Sequence, residues 1–165
     1  DMKKRTLKMI KTHIASQREI LKTIREAEAH IETRIGEKIY ISGRIDLILT
    51  PDNRIELRDY KTANESAEGS TPILEDGRFQ LQIYTEGMKH VGEDVSSANI
   101  VALGSNTLHA VDISEHAIRE TTKKAFEYAK GIVEKNYTPS DSNPGCGICD
   151  FEFFCDHCSS KIKKT

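Results

Sequence analysis

The sequence lacks the long apolar run of ~20 residues that a membrane-spanning helix needs. The basic start, residues 1–5, is not followed by the apolar stretch of a signal peptide. We therefore expect no membrane association and a cytoplasmic location. Cysteine is absent before residue 146, and a chain of 165 residues can bury a core without covalent staples.

The sequence also lacks a strong net charge, an internal repeat and a low-complexity linker. A formal net charge of −2 argues against a protein that coats nucleic acid by charge alone, although a local basic patch can coexist with an acidic metal site. The basic residues within 3–11 are most simply interpreted as a solvated helix surface. With 37% hydrophobic and 30% charged residues, the chain is typical of one globular domain.

Hydrophobic periodicity and turn residues predict a helix, a three-strand meander, a helix, two strands and a last helix. The predicted ranges are, in chain order, 2–27, 29–35, 38–49, 55–61, 76–90, 98–103, 108–113 and a helix capped by Ser114 that ends near 135. This order favours an α/β fold in which helices flank a mixed sheet.

Two carboxylates and a lysine stand out on the predicted hairpin around 51–54. A hairpin centred between Asp52 and Asn53 places Asp46 opposite Asp59, with Cβ atoms about 4.5–5.5 Å apart. Facing carboxylates repel, and a divalent cation between them would remove that penalty and form a hard oxygen site suited to Mg²⁺. Lys61 follows Asp59 by two residues and so projects from the same face of the strand. These groups suit phosphodiester hydrolysis, in which a metal lowers the pKa of bound water and a lysine stabilises developing negative charge.

A family resemblance rests on three motifs in order. They are Gly43-Arg44-Ile45-Asp46, Asp59-Tyr60-Lys61 and Gln80-Leu81-Gln82-Ile83-Tyr84. This combination resembles the G-x-x-D, D-x-K and Q-x-x-x-Y motifs of the RecB-like branch of PD-(D/E)XK nucleases, over about residues 28–158. The resemblance implies a restriction-endonuclease-like fold, a Mg²⁺- or Mn²⁺-dependent nuclease and DNA as substrate. It also implies a helicase domain or subunit as partner, since members occur fused to UvrD-type and AddAB-type helicases, and members occur as CRISPR-associated nucleases as well.

The resemblance assigns further roles by position. Gln80 and Tyr84 share a helix face and are expected to orient the site and its substrate. Members usually carry one more metal ligand, a histidine or an acid, on the first helix. His13 and Glu28 are the candidates here, although His13 lacks the expected glycine context.

Four cysteines are grouped near the end of the chain. Cys146, Cys149, Cys155 and Cys158 have the pattern Cys-x2-Cys-x5-Cys-x2-Cys, which indicates a metal site. A [4Fe–4S] cluster or Zn²⁺ would each take four thiolates, and reduced free thiols are the simpler alternative. The resemblance implies an iron–sulfur tail, in which either Cys158 or a residue from outside this sequence is the fourth ligand.

We therefore predict a nuclease core over 1–145 and a metal-binding cysteine tail over 146–158 in the same domain. The expected function is metal-assisted cleavage of DNA, in particular of single-stranded ends in repair or recombination. Two other classes stay open. One is a catalytically silent module that binds DNA or a partner protein, and the other is a zinc-binding interaction domain.

Overall fold

The computed structural model describes residues 2–62, 70–136, 150 and 154–155. The chain divides into two compact units, Asp1–Glu127 and Tyr128–Thr165. The sheet and the first three helices belong to the first unit. The predicted boundary between 145 and 146 lies outside the described residues.

Two helices precede three consecutive strands, and a helix, two strands and a last helix follow. They are α1 (Met2–Ser16), α2 (Arg18–Leu21), β1 (Ile24–Arg34), β2 (Tyr40–Leu49), β3 (Ile55–Lys61), α3 (Ser70–His90), β4 (Val95–Ala102), β5 (Thr107–Ala110) and α4 (Glu115–Val133). The five strands form one sheet in the order β1-β2-β3-β4-β5. Strands β3 and β4 are parallel, with α3 in the connection, and every other neighbouring pair is antiparallel. The predicted α/β fold with a mixed sheet is confirmed.

The prediction of one helix over residues 2–27 is wrong in its last part. The predicted helix over 2–27 ends at Ser16, and its last residues already belong to strand β1, which begins at Ile24. Residues from Ile24 onward become a strand because they pair with the whole length of β2. Tertiary pairing has here overridden a run of helix-forming residues.

Local chemistry explains the hairpin between β2 and β3. A short 3-10 turn spans Pro51–Asn53. Asp52 and Asn53 there have φ values of 49° and 61°, in the left-handed region that these two residue types tolerate best. The turn fixes the register that follows, since Arg54 N–H donates to the Pro51 carbonyl at 2.9 Å.

The core lies between the sheet and α3. Leu57 on β3 and Leu81 on α3 are fully buried, and Ile100 on β4 packs with them. Helix α4 is capped by Ser114 as predicted, because Ala117 N–H donates to the Ser114 hydroxyl at 3.3 Å. No helix in the described part of the chain is long and apolar enough to span a bilayer.

Candidate active site

Strand β3 carries two kinds of side chain on its two faces. Alternate residues of a strand point to opposite faces, so Asp59 and Lys61 lie on the α3 side. Arg58 and Tyr60 lie on the side of α1 and α2. The residues predicted for catalysis therefore share the face that α3 covers.

The hairpin register brings the carboxylates near each other. Strands β2 and β3 pair Leu47 with Arg58 and Ile48 with Leu57, which is the predicted register. Asp46 lies just beyond the last of these pairs, where its Oδ2 accepts a hydrogen bond from Tyr60 N–H at 2.8 Å. Asp46 is thus held by the backbone of the residue next to Asp59.

The Asp59 carboxylate is nearly buried, and only one of its oxygens accepts a hydrogen bond. Its side chain is 9% exposed, and Oδ2 is buried without a hydrogen bond. The Lys61 ammonium lies 2.9 Å from Oδ2, yet its hydrogen bond, at 3.1 Å, is made with Oδ1. Burial raises the pKa of the Asp59 carboxyl, Lys61 opposes the rise, and the negative charge of Asp46 adds to it. Asp59 Oδ2 therefore has a cationic neighbour in Lys61 but accepts no hydrogen bond.

Lys61 connects the strand to the helix above it. Its ammonium donates to Gln80 Oε1 at 3.1 Å as well as to Asp59. The side chain is 25% exposed, so the ammonium is accessible to a substrate. The structure therefore brings Asp59, Lys61 and Gln80 into one hydrogen-bonded chain.

Two glycines make room for the site. A Cβ on Gly43 would lie 2.6 Å from Tyr84 Cε1 and 2.7 Å from its hydroxyl oxygen, so only glycine lets this ring lie against β2. A Cβ on Gly77 would lie 2.9 Å from Ile100 and 3.2 Å from Asp59 Oδ2. Gly77 was not anticipated from the sequence. The one signal for it was a glycine within a predicted helix, where glycine is unfavourable unless packing requires it.

Neither of the two further ligand candidates contacts Asp59 or Lys61 in the contacts that the structure shows. His13 is buried on the other face of β3, where its Nε2 is 3.2 Å from the Tyr60 hydroxyl and its Nδ1 is 3.0 Å from Asn106 Oδ1. Glu28 forms an ion pair with Arg44 at 2.7 Å and is more than half exposed. Glu28 has a φ of 56° and stands between Ala27 and Ala29, which pair with Leu47 and Ile45, so its position in β1 is across from Asp46. Within residues 2–62 and 70–136, no three acidic, histidine or cysteine side chains group closely enough to hold a metal ion.

Comparison with known proteins decides the family. Residues 1–156 match the model of the PD-(D/E)XK nuclease superfamily. The chain belongs to this superfamily. The fold is similar to a solved structure described as "Crystal structure of SSO0001", with a TM-score of 0.52 and 18% sequence identity. That likeness, which concerns the fold alone, covers 88% of this chain and 66% of the other. No match was found among curated proteins.

Of the four cysteines, only Cys155 lies in the described part of the chain, where it is partly buried. Cys146, Cys149 and Cys158 lie outside the described residues. The predicted cluster therefore stays a prediction.

Proposed function

We propose that this chain is a Mg²⁺- or Mn²⁺-dependent deoxyribonuclease that hydrolyses phosphodiester bonds at Asp46, Asp59 and Lys61. The observation that carries the proposal is the buried Asp59 Oδ2, which has no hydrogen bond and lies in the field of a second carboxylate. Membership of a nuclease superfamily supports the same conclusion.

The residues present fit a hard divalent cation. Asp46 and Asp59 would hold the ion, because carboxylate oxygens are its preferred ligands. A buried carboxylate oxygen that accepts no hydrogen bond is costly, and a cation would add to the compensation that the Lys61 ammonium gives Asp59 Oδ2. When bound, the ion polarises the phosphate and lowers the pKa of its water.

Lys61 and Gln80 complete the proposed machinery. Lys61 would stabilise negative charge that develops on the phosphate oxygens, from a position that needs no large movement. Gln80 would hold the lysine ammonium toward the substrate, since its Oε1 already accepts a hydrogen bond from it. Tyr84, packed against Gly43, would position β2 and the end of the substrate.

The finer substrate and partner assignments rest on the motifs. Their RecB-like order supports single-stranded DNA ends as the substrate, in repair or recombination, and a helicase domain or subunit as the partner. The spacing of the four cysteines supports a [4Fe–4S] cluster, or Zn²⁺ in its place, that fixes the end of the chain. Iron and sulfide analysis after anaerobic purification would test the cluster, and metal-free protein of unchanged stability would refute it.

The decisive experiment is cleavage of end-labelled single-stranded and duplex DNA by the full chain. We expect cleavage with Mg²⁺ or Mn²⁺, none with EDTA, and none by Asp59→Asn, which keeps the shape of the side chain and removes its charge. Arg54→Gln is the matched control, because Arg54 is an exposed charge next to the hairpin turn. DNA binding without cleavage by the metal-loaded wild type would instead indicate a silent binding module. Cleavage by Asp59→Asn at the wild-type rate would refute this site.

A further inference from the structure

Helix α1 concentrates positive charge in a chain that is otherwise acidic. Its 15 residues include five lysines or arginines and no aspartate or glutamate. The net charge of the whole chain is −2, so the rest of the molecule is net negative. All five basic residues of α1 are exposed. The charge of α1 is therefore local and faces solvent.

Three of these lysines share one face of the helix. Lys4, Lys8 and Lys11 have the spacing i, i+4 and i+7, which aligns side chains along a helix. They line one surface depression of about 290 Å³ together with Leu7 and Thr12. Within residues 2–62 and 70–136, the structure pairs none of the three with a carboxylate.

A buried histidine attaches α1 to the strand that carries the site. His13 is 4% exposed and contacts the Tyr60 hydroxyl at 3.2 Å. Tyr60 stands between Asp59 and Lys61 in β3. Lys11 is two residues before His13, or about 3 Å along the helix axis. Two residues also turn the side chain by about 200° around that axis, so the row of lysines lies on the side of α1 opposite His13 and faces away from the sheet.

We propose that Lys4, Lys8 and Lys11 bind successive phosphates of the DNA strand, in a contact independent of base sequence. This inference rests on the proposed function in that DNA is the substrate. Seven helical residues span about 10 Å, which is long enough for the three lysine side chains to reach neighbouring phosphates of one strand.

The competing occupant is a protein, because Leu7, Ile10 and Ile14 on the same helix are also exposed. Charge favours DNA. The helix has no acidic residue that would match the mixed surface of a typical partner, and lysine to phosphate contacts are the main source of non-specific affinity for DNA.

The test measures DNA binding in EDTA, so that cleavage plays no part, with the full chain carrying Lys4→Gln, Lys8→Gln and Lys11→Gln together. Glutamine preserves helix propensity. We expect the slope of log affinity against log salt to become shallower by about two, since each phosphate contact on a single strand contributes about 0.7. The matched control replaces Lys89, Arg119 and Lys123, which line a different groove, with glutamine.

The outcomes separate this inference from the proposed function. An unchanged slope, or an equal change in the control, overturns the role of α1 while cleavage by the wild type still supports the nuclease. A shallower slope in a chain that cleaves nothing supports the role of α1 and counts against the nuclease. If Leu7→Gln with Ile10→Gln abolishes self-association, and the lysine variants bind DNA like the wild type, the face is a protein interface and the inference is wrong.

Discussion

The two faces of strand β3 differ in how completely their charges are paired. On the face toward α1 and α2, Arg58 is 1% exposed and donates to Glu56 at 2.6 Å and to Gln17 at 3.2 Å. Asn99 donates to the same Glu56 oxygen. On the face toward α3, Asp59 keeps one buried oxygen without a hydrogen bond. The Glu56 oxygen on the first face accepts two hydrogen bonds, whereas Asp59 Oδ2 on the second face accepts none, although the Lys61 ammonium lies 2.9 Å from it.

This difference separates a polar cluster whose acid is fully hydrogen-bonded from the cluster that we propose as the metal site. Both faces bury an aspartate or glutamate beside a basic residue, so neither burial nor the presence of an ion pair identifies the site. A buried ion pair that is fully hydrogen-bonded can be retained for structure alone. The unsatisfied oxygen of Asp59 is the feature that marks the face suited to bind a cation.

The largest effect is expected from Asp59→Asn, which removes the charge of the proposed metal ligand on the α3 face of β3. Cleavage should fall below detection, while the melting temperature should not fall, because burial disfavours the charged form of Asp59 more than Lys61 favours it. Mn²⁺ binding, measured by electron paramagnetic resonance, should weaken in parallel. If Asp59→Asn protein bound Mn²⁺ like the wild type, the α3 face of β3 would not be the cation-binding face.

Arg58→Met is the corresponding change on the face of β3 toward α1 and α2. It leaves the Glu56 carboxylate buried without its partner, which should lower the free energy of unfolding by about 3–5 kcal/mol. Cleavage per folded molecule should change little at low temperature. Adding Glu56→Gln should restore much of the stability in urea titrations. If a stable Arg58→Met protein lost cleavage selectively, the face of β3 toward α1 and α2 would contribute to catalysis.

Gly43→Ala tests how closely the site is packed. The new Cβ would lie 2.6 Å from the Tyr84 ring, and such overpacking typically costs about 1–3 kcal/mol. The cost should shrink in a Tyr84→Ala background, which a double-mutant cycle measures. An equal cost in both backgrounds would mean that the Tyr84 ring does not account for the need for glycine.

The smallest effect concerns pH. Burial raises the pKa of Asp59, so the folded chain holds this proton more tightly than the unfolded chain, and ionisation of Asp59 destabilises the fold at neutral pH. The melting temperature of Asp59→Asn should therefore exceed that of the wild type at pH 7. The gap should narrow as the pH falls through the raised pKa of Asp59, and close below the ordinary carboxyl pKa. A difference in melting temperature that widens as the pH falls would show that the pKa of Asp59 is not raised in the folded chain.

Local patterns predicted some features of this molecule well. The bounds of β3, 55–61, are those of the structure, and the hairpin register followed from the turn residues. Two features depended on distant partners and could not be predicted. The exposure of Leu7 on α1 could not be predicted, because the apolar residues of this helix have the spacing of a helix that packs against a core. The burial of His13 could not be predicted either, because its partner Asn106 is 93 residues away in the sequence.

The separation in sequence of these contacts has a consequence for the order of folding. The bond from Tyr60 to Asp46 spans 14 residues and that from Lys61 to Gln80 spans 19, whereas the bond from His13 to Asn106 spans 93. Closing a longer loop costs more chain entropy, and short-range contacts form faster. The hairpin and α3 should therefore assemble the proposed site first. Helix α1 would then attach late, once β4 and β5 have brought Asn106 into place. In pulsed hydrogen exchange, the amides of β3 should gain protection before those of α1.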